Sequence, residues 1–160
     1  MNSYRYTPPK KTKGAATLSL SLLGAAIVFL LLSRFLRPSA LFQLSALVAC
    51  FFFLRILLRY LLSDYTYTFE DGQLSFSLFM GKRTQSLGAI RPKKGDLLLT
   101  KAQWEEKKKE CSPVHRFSFQ QNLFSPDLRF LLFTGEDGKL TLLSFEPDAE
   151  LTRLIEAVIE

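Results

Sequence analysis

The 160-residue chain contains one histidine, His115, and two cysteines, Cys50 and Cys111. A metal site needs several such ligands at short spacing, and a lone histidine in a strand-like stretch is more often solvated or at a core edge than a ligand. Cys50 lies inside an apolar run and Cys111 in a hydrophilic one, so the two are not expected to meet. Without a disulfide framework the soluble part fits a reducing compartment. Nothing near Cys111 reads as an activating base. Glu105-Glu106 has the form of a carboxylate pair for acid–base chemistry, but Lys107, Lys108 and Lys109 follow at once. A solvated mixed-charge loop accounts for that run. Gly81-Lys82-Arg83-Thr84 has the last residues of a phosphate loop but lacks its upstream glycine and leads into a hairpin, not a helix. The nucleophile-elbow, Walker and dinucleotide-binding patterns do not occur. The expectation is a non-catalytic protein with no cofactor and no metal.

The charge is divided along the chain. Residues 1–63 carry eight Lys or Arg and no Asp or Glu, whereas residues 64–160 carry thirteen basic and fifteen acidic residues. The net charge of +6 therefore belongs to the N-terminal part. Nucleic acid is not an expected partner, because the soluble part lacks the positive balance that phosphate binding uses.

The N-terminal part explains its own basicity. Ala15 to Ser33 is uncharged over nineteen residues, about 28 Å as a helix and close to the ~30 Å hydrocarbon core of a bilayer. A second apolar segment runs from Ser39 to Leu62, with Arg55 and Arg59 on one face of its last turns, where long side chains reach the headgroups. The short Arg34–Pro38 connection makes the two helices antiparallel. Small residues recurring every four, Thr17, Ser21 and Ala25 against Ser45 and Ala49 or Ala46 and Cys50, are the expected contact; the alternative is that small residues are merely common in such helices. Six basic residues flank the outer ends and two lie in the connection, which places both termini in the cytoplasm of a cell with an inner membrane. A cleaved signal peptide is the competing reading of residues 1–33; the apolar run is long for one and a second span follows at once. The expected organisation is a cytoplasmic tail over 1–14, a transmembrane hairpin over 15–62 (15–33 and 39–62) and a soluble domain over 64–160.

In the soluble domain the apolar period becomes two. Tyr65, Tyr67 and Phe69 alternate with polar residues up to Asp71-Gly72, a favoured hairpin turn. Leu74 to Met80 alternates likewise, and Gly81-Lys82 turns the chain into a third strand over Arg83–Leu87. Further strands are expected at Leu97–Lys101, Val114–Gln120, Leu128–Thr134 and Lys139–Phe145, the last two joined through Gly135–Gly138. Residues 102–113 read as a loop or short surface helix, and 121–127 as a loop. After Pro147, Leu151, Leu154, Ile155, Val158 and Ile159 fall at helical spacing, with Glu146, Asp148 and Glu150 suited to the helix N-terminus. Such a helix is too short to stand alone and must cover the sheet.

Seven short antiparallel strands followed by a helix resemble a pleckstrin-homology-like domain, a bent sheet or barrel capped by a C-terminal helix. The order is similar to bacterial pleckstrin-homology-like membrane proteins, in which transmembrane helices precede a strand like Tyr65-Thr66-Tyr67-Thr68-Phe69 and a turn like Asp71-Gly72. A basic pair leading to Leu-x-x-Ile, here Lys82-Arg83 to Leu87-Gly88-Ala89-Ile90, and Phe145-Glu146-Pro147 before the final helix add to the likeness. The resemblance implies an α+β membrane protein. It does not carry phosphoinositide binding over, since the first hairpin is the acidic Glu70-Asp71-Gly72.

The expected function is a membrane-anchored, non-catalytic binding or scaffold module whose partner is another protein or a second copy, besides the bilayer itself. The alternative is a sensor of anionic lipid. Residues 82–109 hold nine basic and three acidic residues, against four and nine in 110–160. Lys82, Arg83, Arg91, Lys93, Lys94, Lys107, Lys108 and Lys109, with Trp104 among them, are the candidate membrane-surface contacts, each near-surface cation contributing about 1 kcal/mol; the competing reading is a tryptophan covering the sheet edge beside ordinary surface lysines.

Overall fold

The computed structural model describes residues 3–37, 39–135 and 137–160. The expected interhelix connection and the Gly135–Gly138 turn each include one residue outside that set, Pro38 and Glu136. The chain forms two units: one comprises the residues through Lys10, Asp64–Gln121 and Ser125–Glu160; the other comprises Lys11–Ser63 and Asn122–Phe124.

The second unit is a helical hairpin. Helix α1 spans Thr12–Phe35 and α2 spans Ser39–Ile56, continued by one π-helical turn over Leu57–Leu61. Both helices are long and apolar enough to cross a membrane. Their buried residues are Ala15, Ser19 and Ala26 on α1 and Ala46 and Ala49 on α2. Small side chains at spacings of four, seven and three let the backbones approach. The expected stripe is thus half corrected: Ala46 and Ala49 are buried, but Thr17, Ser21 and Ser45 face outward. Their hydroxyls donate to carbonyls four residues back, those of Lys13, Thr17 and Leu41, at 2.9–3.0 Å. A hydroxyl satisfied within its own helix can face an apolar medium at little cost.

Among the described residues the chain has eight strands, not the seven expected. The additional one, β1, is Tyr4–Tyr6, inside the segment read as a tail; it pairs antiparallel with β2 (Ser63–Glu70), Tyr4 opposite Phe69. Strands β3 (Gln73–Met80) and β4 (Arg83–Ile90) complete a first sheet in the order β1-β2-β3-β4. Asp71 and Gly72 both take positive φ, 48° and 74°, as the two-residue hairpin turn requires. A bulge at Phe76/Ser77 interrupts the β3–β4 register opposite Gly88.

The second sheet has the order β5-β7-β8-β6, from β5 (Leu97–Thr100), β6 (His115–Ser118), β7 (Arg129–Thr134) and β8 (Leu140–Phe145). Its β6 runs parallel to β8, a departure from the all-antiparallel expectation. Helix α3 (Lys101–Lys107) separates β5 from β6 and is opened by a capping box between Thr100 and Gln103. Helix α4 (Ala149–Ile159) closes the chain, its N-cap Asp148 accepting from the Leu151 amide at 2.9 Å.

One core is shared by both sheets and α4: Tyr65, Tyr67, Phe69, Leu74, Phe76, Leu131, Leu143, Phe145, Leu151 and Ile155. Tyr67 lies edge-on to Phe76 and Phe145 at 5.6 Å. A second cluster, Leu99, Trp104, Leu132 and Leu142, fills the opposite face of the second sheet under α3. Both faces of β7 and β8 are therefore buried, which is why these strands read as nearly continuous apolar runs.

Candidate functional site

The basic residues singled out from sequence do not form one patch. Lys82 and Arg83 lie at the β3–β4 turn and Arg91, Lys93 and Lys94 after the far end of β4. The eight residues of β4 put about 26 Å between the two groups. Lys107, Lys108 and Lys109 lie at the C-terminal end of α3, where Lys108 pairs with Glu105. Trp104 is removed from the set of membrane contacts. It is 6% exposed and stacks on Phe130 at 5.8 Å, because something apolar must cover the outer face of β7 and β8.

Arg91 and Lys93 have a definite setting. With Gln73, Ala89, Ile90, Phe133, Thr134 and Gly135 they line an open cleft of about 520 Å³. The loop carrying them is pinned. Pro92 is buried, the Lys93 amide donates to Asp96 Oδ2 at 2.7 Å, the Asp96 amide donates to the Lys93 carbonyl at 3.0 Å, and the Gly95 amide donates to the Ile159 carbonyl at 3.3 Å. Among the described residues the lining holds two cations, a carboxamide and a hydroxyl, a set that suits an anionic group.

A second surface is the free edge of β4. Arg83, Thr84, Gln85 and Ser86 are exposed, and β4 ends the strand order of its sheet. The bulge near Gly88 confines regular pairing by an added strand to this half of β4.

His115 Nε2 lies 3.1 Å from Asp137 Oδ2 on the surface. The Lys139 backbone amide, and after it the His115 side chain, hold the Asp137 carboxyl below its ordinary range. Glu105 is engaged with Lys108 rather than with Glu106. Among the described residues no three His, Cys, Asp or Glu converge as a metal would need.

The residues that sequence reasoning missed are the ones that hold the N-terminal strand. Tyr4 donates to Asp148 Oδ2, and Thr7 and Thr66 share a hydrogen bond at 2.8 Å. The carboxylate hydrogen bond, with some desolvation, pushes the Tyr4 phenol up to about 12. Tyr67 is pushed up chiefly by burial; its hydroxyl donates to the Phe119 carbonyl at 2.7 Å and accepts from the Glu146 amide at 3.3 Å. Gln121, fully buried, accepts from the Tyr65 amide at 2.7 Å. The only sequence signal for β1 was Tyr4-Arg5-Tyr6 itself, a three-residue alternation too short to separate from a tail. No family model matches the chain, and no curated protein and no solved structure matches it.

Proposed function

We propose that the protein is an integral membrane anchor that holds a pleckstrin-homology-like, non-catalytic binding module at the cytoplasmic face of the inner membrane, with both termini inside. The observation that carries this reading is the pairing of β1 with β2 across the helical hairpin. Two strands of one sheet must lie on the same side of a bilayer, and two spans return the chain to the side it left. The argument is independent of charge and agrees with the six-to-two distribution of flanking cations. The β2-β3-β4 meander, the β7–β8 hairpin and the final helix support the pleckstrin-homology-like reading; the parallel β6, the pairing of β5 with β7 and the added β1 depart from it. The partner is a protein or a second copy that adds a strand to the exposed half of β4.

The test is photo-crosslinking of the full-length protein in native membranes from Thr84 or Gln85, with His115 as the control position. A discrete adduct from β4, absent from the control, supports the module; uniform lipid adducts from every position reject it. Protease added outside intact cells should leave both termini uncut.

A second reading is favoured by the Arg91–Lys93 cleft, which would take an anionic headgroup or another phosphorylated or carboxylated group. In nanodiscs of rising anionic-lipid content, Arg91→Gln with Lys93→Gln should then abolish a salt-sensitive chemical-shift or fluorescence change that the parent protein shows.

A further inference from the structure

The loop between β6 and β7 contains an apolar tip, Leu123–Phe124, between buried polar residues and Ser125-Pro126-Asp127. Phe124 is 72% exposed, among the most exposed large apolar side chains of the chain. Asn122 to Phe124 belong to the helical unit. Asn122, 4% exposed, accepts a hydrogen bond from the Lys11 amide at 2.6 Å, which satisfies a helix-start donor that Lys11's own side chain does not cap. The Phe124 ring lies against the first turn of α1, where a Cβ on residue 14 would meet Cδ2 at 3.0 Å.

That position is defined along α1. Lys10, Lys11 and Lys13 precede it and Ala15, the first residue of the uncharged run, follows it. Lysines flanking a span mark the headgroup level, and aromatic side chains collect where headgroups meet acyl chains. A phenyl ring held there by a buried Asn is placed by the fold rather than left loose in water.

We infer that Leu123–Phe124 is a third membrane contact, an apolar wedge at the acyl boundary of the leaflet that holds the start of α1. The inference rests on the anchor reading of the two helices. The β6–β7 loop thereby senses lipid packing at the bilayer surface through an uncharged contact, separate from the basic residues of 82–109.

The test uses full-length protein reconstituted in vesicles, with Cys50→Ala and Cys111→Ser, carrying a nitroxide label at Phe124→Cys, Val28→Cys or Lys139→Cys. Collisions with oxygen report lipid and collisions with a soluble nickel chelate report water. The label at 124 should favour oxygen several-fold over the label at 139 and approach the label at 28. If 124 behaves like 139 while 28 favours oxygen, the wedge is wrong and the anchor stands. If 28 also favours the chelate, the anchor reading fails and the wedge with it. A label at 124 that meets neither reagent is buried against protein, which also overturns the proposal. Leu123→Cys carries the same expectations should the Phe124 variant not assemble.

Discussion

The helical hairpin and the β unit bury opposite kinds of residue. Inside the hairpin are Ala15, Ser19, Ala26, Ala46 and Ala49, while Leu20, Leu31, Leu47 and Phe51 are each more than half exposed. Inside the β unit are Tyr67, Leu74, Phe76, Leu131 and Phe145, each at most 1% exposed. In water, folding removes large apolar surface, so the largest side chains go inside. In lipid a leucine gains nothing by leaving the surface, and close backbone packing selects small residues for the contact. Large apolar side chains outside and small ones inside are what the proposed membrane anchor would require of the hairpin, and the reverse is what water requires of the β unit.

The contrast breaks most readily at its largest side chains. Phe76→Ala should cost the β unit about 3–5 kcal/mol, whereas Leu47→Ala on the hairpin's outer face should stay within about 0.5 kcal/mol; thermal unfolding in nanodiscs checks both. If Leu47→Ala destabilises comparably, the outer face is a protein core and the two-solvent account fails.

Trp104→Ala should cost about 3 kcal/mol and leave lipid binding unchanged, measured by chemical denaturation and vesicle co-sedimentation of the full-length protein. A loss of lipid binding at unchanged stability would restore Trp104 to the membrane surface.

Within the hairpin, Ala46→Leu should overpack the contact by about 1–3 kcal/mol, while Thr17→Leu should be near neutral. Cross-linking efficiency between cysteines placed on α1 and α2 reads the difference, and equal effects would return Thr17 to the helix contact.

The smallest effect concerns β1. The Tyr4 pKa is raised, so the folded state favours the neutral phenol. Its contribution is full below the ordinary value of 10.0 and is lost as pH rises through about 12. Absorbance titration should show a late-ionising tyrosine that disappears in Tyr4→Phe, together with weaker amide protection at Tyr67 and Phe69.

Much of the β unit could be read from residue spacing because the relevant interactions are local. The alternation of Tyr65, Tyr67 and Phe69, the Asp71-Gly72 turn and the amphipathic run from Leu151 each specify an element within about a dozen residues. Other features come from distant partners. Nothing near Tyr4 predicts its bond to Asp148, 144 residues away. The loss of alternation in Leu128–Thr134 shows that both faces are covered, but not that Trp104 is the cover. Lys82 and Arg83 are close in sequence to Arg91, Lys93 and Lys94, yet the length of β4 parts the two groups.

Sequence alone determined the two apolar helices, every described strand but β1 and the closing helix, because hydrophobic period and turn chemistry act between near neighbours. Tertiary structure alone decided that residues 4–6 join the sheet, that Ser19 and Ala26 rather than Thr17 and Ser21 face the partner helix, and that Arg91 and Lys93 line a cleft. Each of these depends on which distant surface a side chain meets, and a one-dimensional pattern does not contain that information.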